Sequence, residues 1–575
     1  MKRYWKYIRP YIQYYILGPC FMMMEVVGDV LLPYMLAKII NQGIAERNVV
    51  YIIKIGVIMG FIAVIMAVGG VLGAWFASKA AMNFGADLRM DLFEKIQQFS
   101  FQNIDNFSTG SLITRLTNDI TQIQNMIMMT LRMCLRSPGI LIGAMVMAFV
   151  ISPKLAAIFI IVLPVLAVLI VVIMRRAFPQ FRTLQEKLDA LNSCIQEGLV
   201  GIRLIKSFVR GDYEEMRFEK RNQQLKEANL TAMKTMLLYT PLMTLALNIT
   251  TVVVVWSGGN MIVAGNMQVG DLTAFTNYIV QIMSSLTMLS IAFLNWARAI
   301  ASFRRVGEVL NEKIDLTDEN AKHKDRAVCE GSVEFQNVSF RYYKNSPEWV
   351  IENISFKLEA GKTLGIIGPT GSGKSTLVSM IPRLYDTDEG TVLVDGINVR
   401  DYGLKPLREG IGMVLQNNTL FSGSITENLK WGDEHADEKA VRKAAQNAQA
   451  AGFIDSFKDG YRTRLEQSGN NVSGGQKQRL CIARALLKCT KILILDDSTS
   501  AVDTATERAI REALHSEYKD MTKIIIAQRI RSVMDADEIL VLDNGKTAGF
   551  GTHEQLLADC PVYREIYDVQ NGREE

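Results

Sequence analysis

Residues 368–376 read Gly-Pro-Thr-Gly-Ser-Gly-Lys-Ser-Thr, a glycine-rich loop closed by lysine and serine. That spacing suits phosphate chemistry. Gly368, Gly371 and Gly373 let the backbone turn successive N–H groups onto a phosphate, with Pro369, Thr370 and Ser372 between them. Lys374 is placed to reach the β- and γ-phosphates of a nucleotide, Ser375 to hold Mg²⁺, and Thr376 follows in the same turn. An apolar strand, Thr363–Ile367, precedes the loop and a helix-forming run follows it, the order a phosphate loop needs. A bare glycine-rich turn with a stray lysine has no such requirement. A second apolar strand, Leu493–Asp496, ends in an acid placed to orient the same Mg²⁺ through water. Shortly before it comes Ser473-Gly474-Gly475-Gln476, small residues at the start of a helical pattern. The C-terminal half binds ATP.

The elements that must position these groups belong to two different environments. Of 575 residues, 49% are hydrophobic while 21% are charged, which fits one membrane part and one soluble part. A net charge of +4 gives no case for nucleic acid as a partner. The seven cysteines are scattered without a CxxC pair, and the four histidines show no metal-ligand spacing, so neither a disulfide frame nor a zinc site is expected.

Charge-free apolar runs fill the first 300 or so residues. A bilayer core of ~30 Å takes about 20 apolar residues as helix. The runs predict six spanning helices, at about 11–40, 52–80, 127–151, 154–176, 236–264 and 271–300. Lys2, Arg3, Lys6 and Arg9 precede the first span, and residues 175–234 are rich in lysine and arginine, whereas residues 257–270 carry neither. That bias puts both termini on the cytoplasmic side of the cell membrane. Segments 79–126 and 175–234 keep a helical period with charges between, so the spans continue into the cytoplasm. The period breaks near 97–110 and 207–213, which are the natural tips for touching a soluble domain. The first domain therefore covers 1–310. A polar stretch, 311–330, reads as a linker, and 331–575 alternates short strands with helical patterns. The predicted fold is a membrane all-α domain of six long helices followed by an α/β ATP-binding domain with a largely parallel sheet.

With Asn471-Val472 in front, Ser473–Gln476 resembles the signature of ATP-binding-cassette (ABC) proteins. Tyr342, in Val-Ser-Phe-Arg-Tyr, fits the position where that family stacks an aromatic ring on adenine. Gln416, in Met-Val-Leu-Gln, fits its glutamine loop, and Ser500-Ala501-Val502-Asp503 fits its dimer-contact loop. Phe107, Gly110-Ser111-Leu112 and Arg115-Leu116-Thr117 with Asp119, and Gly201-Ile202-Arg203 with Phe208 and Tyr213, are similar to its two coupling regions. Over nearly its whole length the chain resembles an ABC exporter half-transporter. The resemblance implies two cassettes stacked head to tail. Each ATP, with Mg²⁺ on Ser375, Gln416 and Asp496, would lie between one phosphate loop and the other cassette's Ser473–Gln476.

Two positions depart from the family. Glutamate usually follows the Mg²⁺-holding acid and polarises the attacking water; here it is Asp497. Aspartate is one methylene shorter, so its carboxylate falls roughly 1 Å short, and misplacement of that order costs about a hundredfold in rate. The switch histidine is replaced by Gln528, which donates a hydrogen bond but carries no proton or charge at neutral pH. Gln467 stands where a glutamate usually precedes the signature. Together these resemble the degenerate-site subunit of a heterodimeric bacterial multidrug exporter, moving small amphipathic or hydrophobic compounds. A homodimer with two slow sites is the alternative, as is a nucleotide-sensing regulator that transports nothing. In the first span, Glu25 and Asp29 share one helix face. They either attract cationic cargo or pair with Arg132, Lys38 or backbone groups.

Overall fold

The computed structural model describes residues 2–344, 346–498 and 502–571. The chain forms two compact units, Met1–Gln97 with Gly110–Asn311, and Gln98–Thr109 with Glu312–Glu575.

The first unit is all helix. In lipid every backbone N–H and C=O must be satisfied within its own segment, which long apolar runs achieve only as helices. Among the described residues, five helices are long and apolar enough to cross a membrane: Trp5–Ile44, Val49–Gln97, Thr109–Ile151, Pro153–Val200 and Gly211–Val263. The expected sixth span lies within a further helix, Val269–Asn311. The helices outrun the apolar stretches. At about 1.5 Å per residue, the 49 residues of Val49–Gln97 reach well beyond a bilayer core. Small residues let neighbours approach closely. Ala77, Ala80 and Ala81 are fully buried, and a Cβ at Gly73 would come within 2.6 Å of Met22 Cε.

Glu25 and Asp29 do not pair with Arg132 or Lys38. Arg136 Nη2 lies 2.9 Å from Glu25 Oε1 and 3.3 Å from Asp29 Oδ2. Arg136 opens the helix Arg136–Ile151, which packs along the first helix, whereas Lys38 sits over the Tyr34 ring at 4.8 Å.

The second unit holds the phosphate loop. Its principal strands are β1 (Val333–Phe340), β2 (Ile351–Leu358), β3 (Thr363–Ile367), β4 (Glu389–Val394), β5 (Ile397–Asn398), β6 (Ile411–Val414), β7 (Ile492–Asp496), β8 (Thr522–Ile526), β9 (Glu538–Asp543) and β10 (Lys546–Gly551). A six-stranded sheet runs β10-β9-β3-β8-β7-β6, parallel except for its β10 edge. Its inner strands are apolar on both faces because both are covered. Ile492 and Ile494 pack toward the second sheet, and Leu493 and Leu495 toward the helix Gly474–Leu487. The second sheet, β2-β1-β4-β5, is antiparallel and was not anticipated. Register shifts between Phe335 and Val338 interrupt β1, so its sequence reads as two fragments rather than one long strand.

The stretch expected as a linker is folded against this unit. Leu316 and Val328 are buried, the His323 N–H donates to Asp401 O at 2.7 Å, and the Leu404 N–H donates to Asp318 Oδ1 at 3.0 Å. Its buried apolar residues are too sparse to make a period. The short helix Phe101–Asp105 also belongs here. A capping box of Ser100 and Asn103 starts it, Asn103 Nδ2 donates to Lys313 O at 2.9 Å, and Tyr385 donates its hydroxyl proton to Asp105 Oδ2 at 2.9 Å. The other tip, around 207–213, leaves Phe208 and Val209 exposed.

Candidate functional site

The loop 368–373 leaves the C-terminal end of β3 and feeds the helix Lys374–Ser379. Gly371 and Gly373 have φ of 87° and 89°, a left-handed conformation that side chains resist. At Gly373 a Cβ would also meet Val350 O at 2.9 Å. Successive residues in such a turn can present their N–H groups to a phosphate. Lys374 curls back on the loop, its Nζ donating to Gly368 O and Pro369 O at 2.8 Å each.

Parallel pairing brings the remaining groups to the same edge. Asp496 ends β7, and its register partner on β8 is Ile526, so Gln528 follows just beyond that strand end. Ser375 donates its hydroxyl to Asp496 Oδ1 at 2.8 Å. Asp497 adopts a φ of 46°, tolerable for aspartate, and its N–H donates to Ile526 O at 3.1 Å. Gln528 Nε2 donates to Asp497 Oδ2 at 2.7 Å.

These groups line one cavity of ≈ 220 Å³. Thr370, Gly371, Gly373, Lys374, Ser375, Thr376, Gln416, Asp496, Asp497 and Gln528 all contribute to it, joined by Val350 and Ile526. The last two escaped sequence reading, since apolar residues carry no chemical signal. Burial pushes the Lys374 ammonium below the ordinary lysine range, against the pull of Asp497 and Asp496. Burial likewise raises the Asp496 carboxyl, with Asp497 adding to it and the Ser375 hydrogen bond opposing. It raises the Asp497 carboxyl too, against hydrogen bonds from Gln528 and Gln416. Desolvated charges of both signs face one space, an arrangement that a nucleotide phosphate chain with a divalent cation would compensate. The hydroxyl and carboxylate of Ser375 and Asp496 are hard oxygen donors that suit Mg²⁺, and Lys374 with the loop N–H groups suits phosphate oxygens.

Gly368, Pro369 and Ser372 of the loop do not line this cavity, and three further groups lie outside it. Tyr342 and Thr376 share a hydrogen bond between hydroxyls at 2.8 Å, so the ring stands beside the loop. It meets Phe340 and Tyr385 edge-on, at 5.1 and 5.3 Å. Ser473 caps the helix Gly474–Leu487. Its Oγ accepts from the Gln476 N–H at 3.3 Å, and Gln476 Oε1 accepts from the Ser473 N–H at 2.9 Å. The Ser-x-x-Gln spacing is the legible signal for that capping box. The helix N-terminus it leaves open can take an anion. Asp503 caps Thr504–Glu517, accepting from the Thr506 N–H at 3.0 Å. Ser500 and Ala501 lie outside the described residues.

Known proteins resemble this chain over its whole length. Residues 15–286 match the family described as ABC transporter transmembrane region, and residues 351–500 match the family described as ABC transporter. An uncharacterized ABC transporter ATP-binding protein of Bacillus subtilis, YfiB, is 39% identical over 574 residues, covering 100% of this chain and 99% of that protein. Rv1273c of Mycobacterium tuberculosis, also described as an uncharacterized ABC transporter ATP-binding protein, is 36% identical and covers 98% and 97%. YgaD of Bacillus subtilis, named for multidrug export, is 32% identical, covering 99% of each chain. A solved bacterial Atm1-family ABC exporter with ATP bound has the same fold, with a TM-score of 0.81, 24% identity and 98% of each chain covered. With both family regions matched and full-length relatives above 30% identity, the chain belongs to the ABC transporters, as a half-transporter that carries its membrane helices and its ATP-binding cassette on one polypeptide.

Proposed function

We propose that this chain is the degenerate-site subunit of a heterodimeric exporter that moves small amphipathic or hydrophobic compounds out of the cell. One observation carries the reading: Gln528 Nε2 and Asp497 Oδ2 are hydrogen-bonded to each other at 2.7 Å. The positions that would polarise water and contact the γ-phosphate hold a shortened carboxylate and an uncharged amide, and each occupies the other. Such a site grips Mg-ATP through Lys374, Ser375, Gln416 and Asp496, with Tyr342 against the base, and turns it over slowly. Ser473–Gln476 is intact and lies away from the chain's own cavity, which suits service to the partner's nucleotide. The exposed apolar tip of Leu204, Phe208 and Val209 supports a second half-transporter as partner. YgaD, named for multidrug export, supports the cargo class.

The test is repair. Asp497→Glu with Gln528→His restores reach and a titratable ring, and is expected to raise hydrolysis at this site by about tenfold to a hundredfold. Measured in the two-subunit complex with the partner's own catalytic glutamate disabled, an unchanged rate would sink the reading.

A further inference from the structure

A second cavity, of ≈ 890 Å³, shares no lining residue with the nucleotide cavity. It opens where β3 and β8 begin, at Thr363 and Lys523, whereas the phosphate loop and Gln528 follow the opposite ends of those strands. Alternation along β8 settles its orientation. Ile524 and Ile526 join the core between the two sheets, while Lys523 and Ile525 face the cavity. The helix Thr504–Glu517 and the segment 531–536 supply the other walls.

Four cationic side chains line it, Arg508, Arg511, Lys523 and Arg531, against two carboxylates, Glu512 and Asp535. Arg511 is already engaged, donating to Arg531 O at 2.6 Å and pairing with Asp535 at 3.1 Å. Lys523 is not. It is only 4% exposed, and among the described residues its ammonium has neither a hydrogen bond nor an ion pair. Asp537 and Asp520 act on it only at longer range, the Asp537 carboxylate also accepting from the Thr363 N–H at 2.7 Å. Burial pushes the Lys523 ammonium below the ordinary lysine range. Its stem is buried while its ammonium opens onto the cavity, and the space beside it is large enough for an anion to sit against that charge. Leu514 and Ile525 give that space an apolar wall.

We infer that this cavity binds a small organic polyanion, its charge on Lys523 and the rim arginines Arg508 and Arg531, and its carbon frame against Leu514 and Ile525. The chemistry is shared by phosphoesters and polycarboxylates, since guanidinium forks donate to the oxygens of either. The helix above the cavity starts at Asp503 and the segment below it follows Gln528, so a bound ligand would bear on both ends of the cassette's ATP machinery.

Calorimetric titration of the full-length chain in detergent tests this, using fructose 1,6-bisphosphate and tricarballylate. A non-hydrolysable ATP analogue and Mg²⁺ are kept saturating, so that the phosphate loop is filled. Binding of either probe is expected. Lys523→Met, or Arg508→Ala with Arg531→Ala, should weaken it about tenfold or more, with affinity for the ATP analogue retained. A response to the bisphosphate alone assigns a phosphoester, and one to tricarballylate alone a polycarboxylate. The arginine pair is exposed and carries the test should Lys523→Met misfold. Absence of binding by both probes at millimolar concentration, or binding indifferent to these substitutions, overturns the inference.

Discussion

At the end of β7 two adjacent aspartates face opposite demands. Asp496 is 4% exposed and holds the Ser375 hydroxyl, while Asp497 turns through a left-handed φ to meet Gln528. Burial is the larger cause of the raised Asp496 carboxyl and the Asp497 charge a smaller one. The sign follows directly. Mg²⁺ needs the ionised form, and the folded protein takes up the proton at higher pH than an ordinary aspartate. Mg²⁺-dependent ATP affinity should therefore fall, on acidification, at a pH above the usual carboxylate range. Asp497→Asn should move that fall to lower pH without restoring the ordinary value, because desolvation remains. Fluorescent-nucleotide binding measured against pH checks both statements, and a midpoint unmoved by Asp497→Asn would show the neighbouring charge to be immaterial.

At the scale of elements, short helices do the connecting. Phe101–Asp105 is tied to its unit by Asn103 on Lys313 O and by the Tyr385 hydroxyl on Asp105, with the Phe101 and Tyr385 rings 5.9 Å apart. Tyr385 in turn meets Tyr342 edge-on, and Tyr342 bonds Thr376 beside the phosphate loop. Tyr385→Phe removes one solvent-exposed hydrogen bond to a carboxylate, worth about 0.5–1.5 kcal/mol, and keeps the ring. Hydrogen exchange at 98–109 should rise, and transport per ATP hydrolysed should drop while ATP affinity holds. At the helix Gly474–Leu487, Ser473→Ala removes the capping box at a cost of about 0.5–2 kcal/mol. It should slow hydrolysis at the partner's site. Ser473→Thr should recover the stability, read by thermal unfolding, since threonine also caps.

The membrane unit is held by an ion trio as well as by packing. Arg136 serves both Glu25 and Asp29 with its side chain about a quarter exposed. Arg136→Ala would strand two carboxylates in the apolar unit. The loss is expected to be ~1–3 kcal/mol, less than for a fully buried pair because solvent reaches the site. Thermal melting in detergent reads it, and Arg136→Lys should recover part. For the assembled transporter, unequal sites predict weak ATPase from this chain alone and vigorous activity only with its mate. Brisk turnover and transport by the lone chain would overturn the heterodimer.

How much of this was legible depends on how local the cause is. The phosphate loop occupies nine consecutive residues, and its backbone conformation follows from glycines at fixed offsets, so sequence alone located it. Spanning helices were legible for the same reason, since a long charge-free run has one way to satisfy its backbone in lipid. The two departures, Asp497 and Gln528, needed only the strands in front of them. Tertiary structure decided everything that depends on distant segments meeting. It chose Arg136 rather than Arg132 or Lys38 for the first-span acids, and it folded residues 312–330 onto the cassette. It also completed the antiparallel sheet that bulges had hidden, set Asp105 against Tyr385, and left the Lys523 ammonium beside an open cavity. Pairings between side chains hundreds of residues apart leave no period or spacing in the chain, because the geometry that makes them exists only after the sheet and bundle have closed.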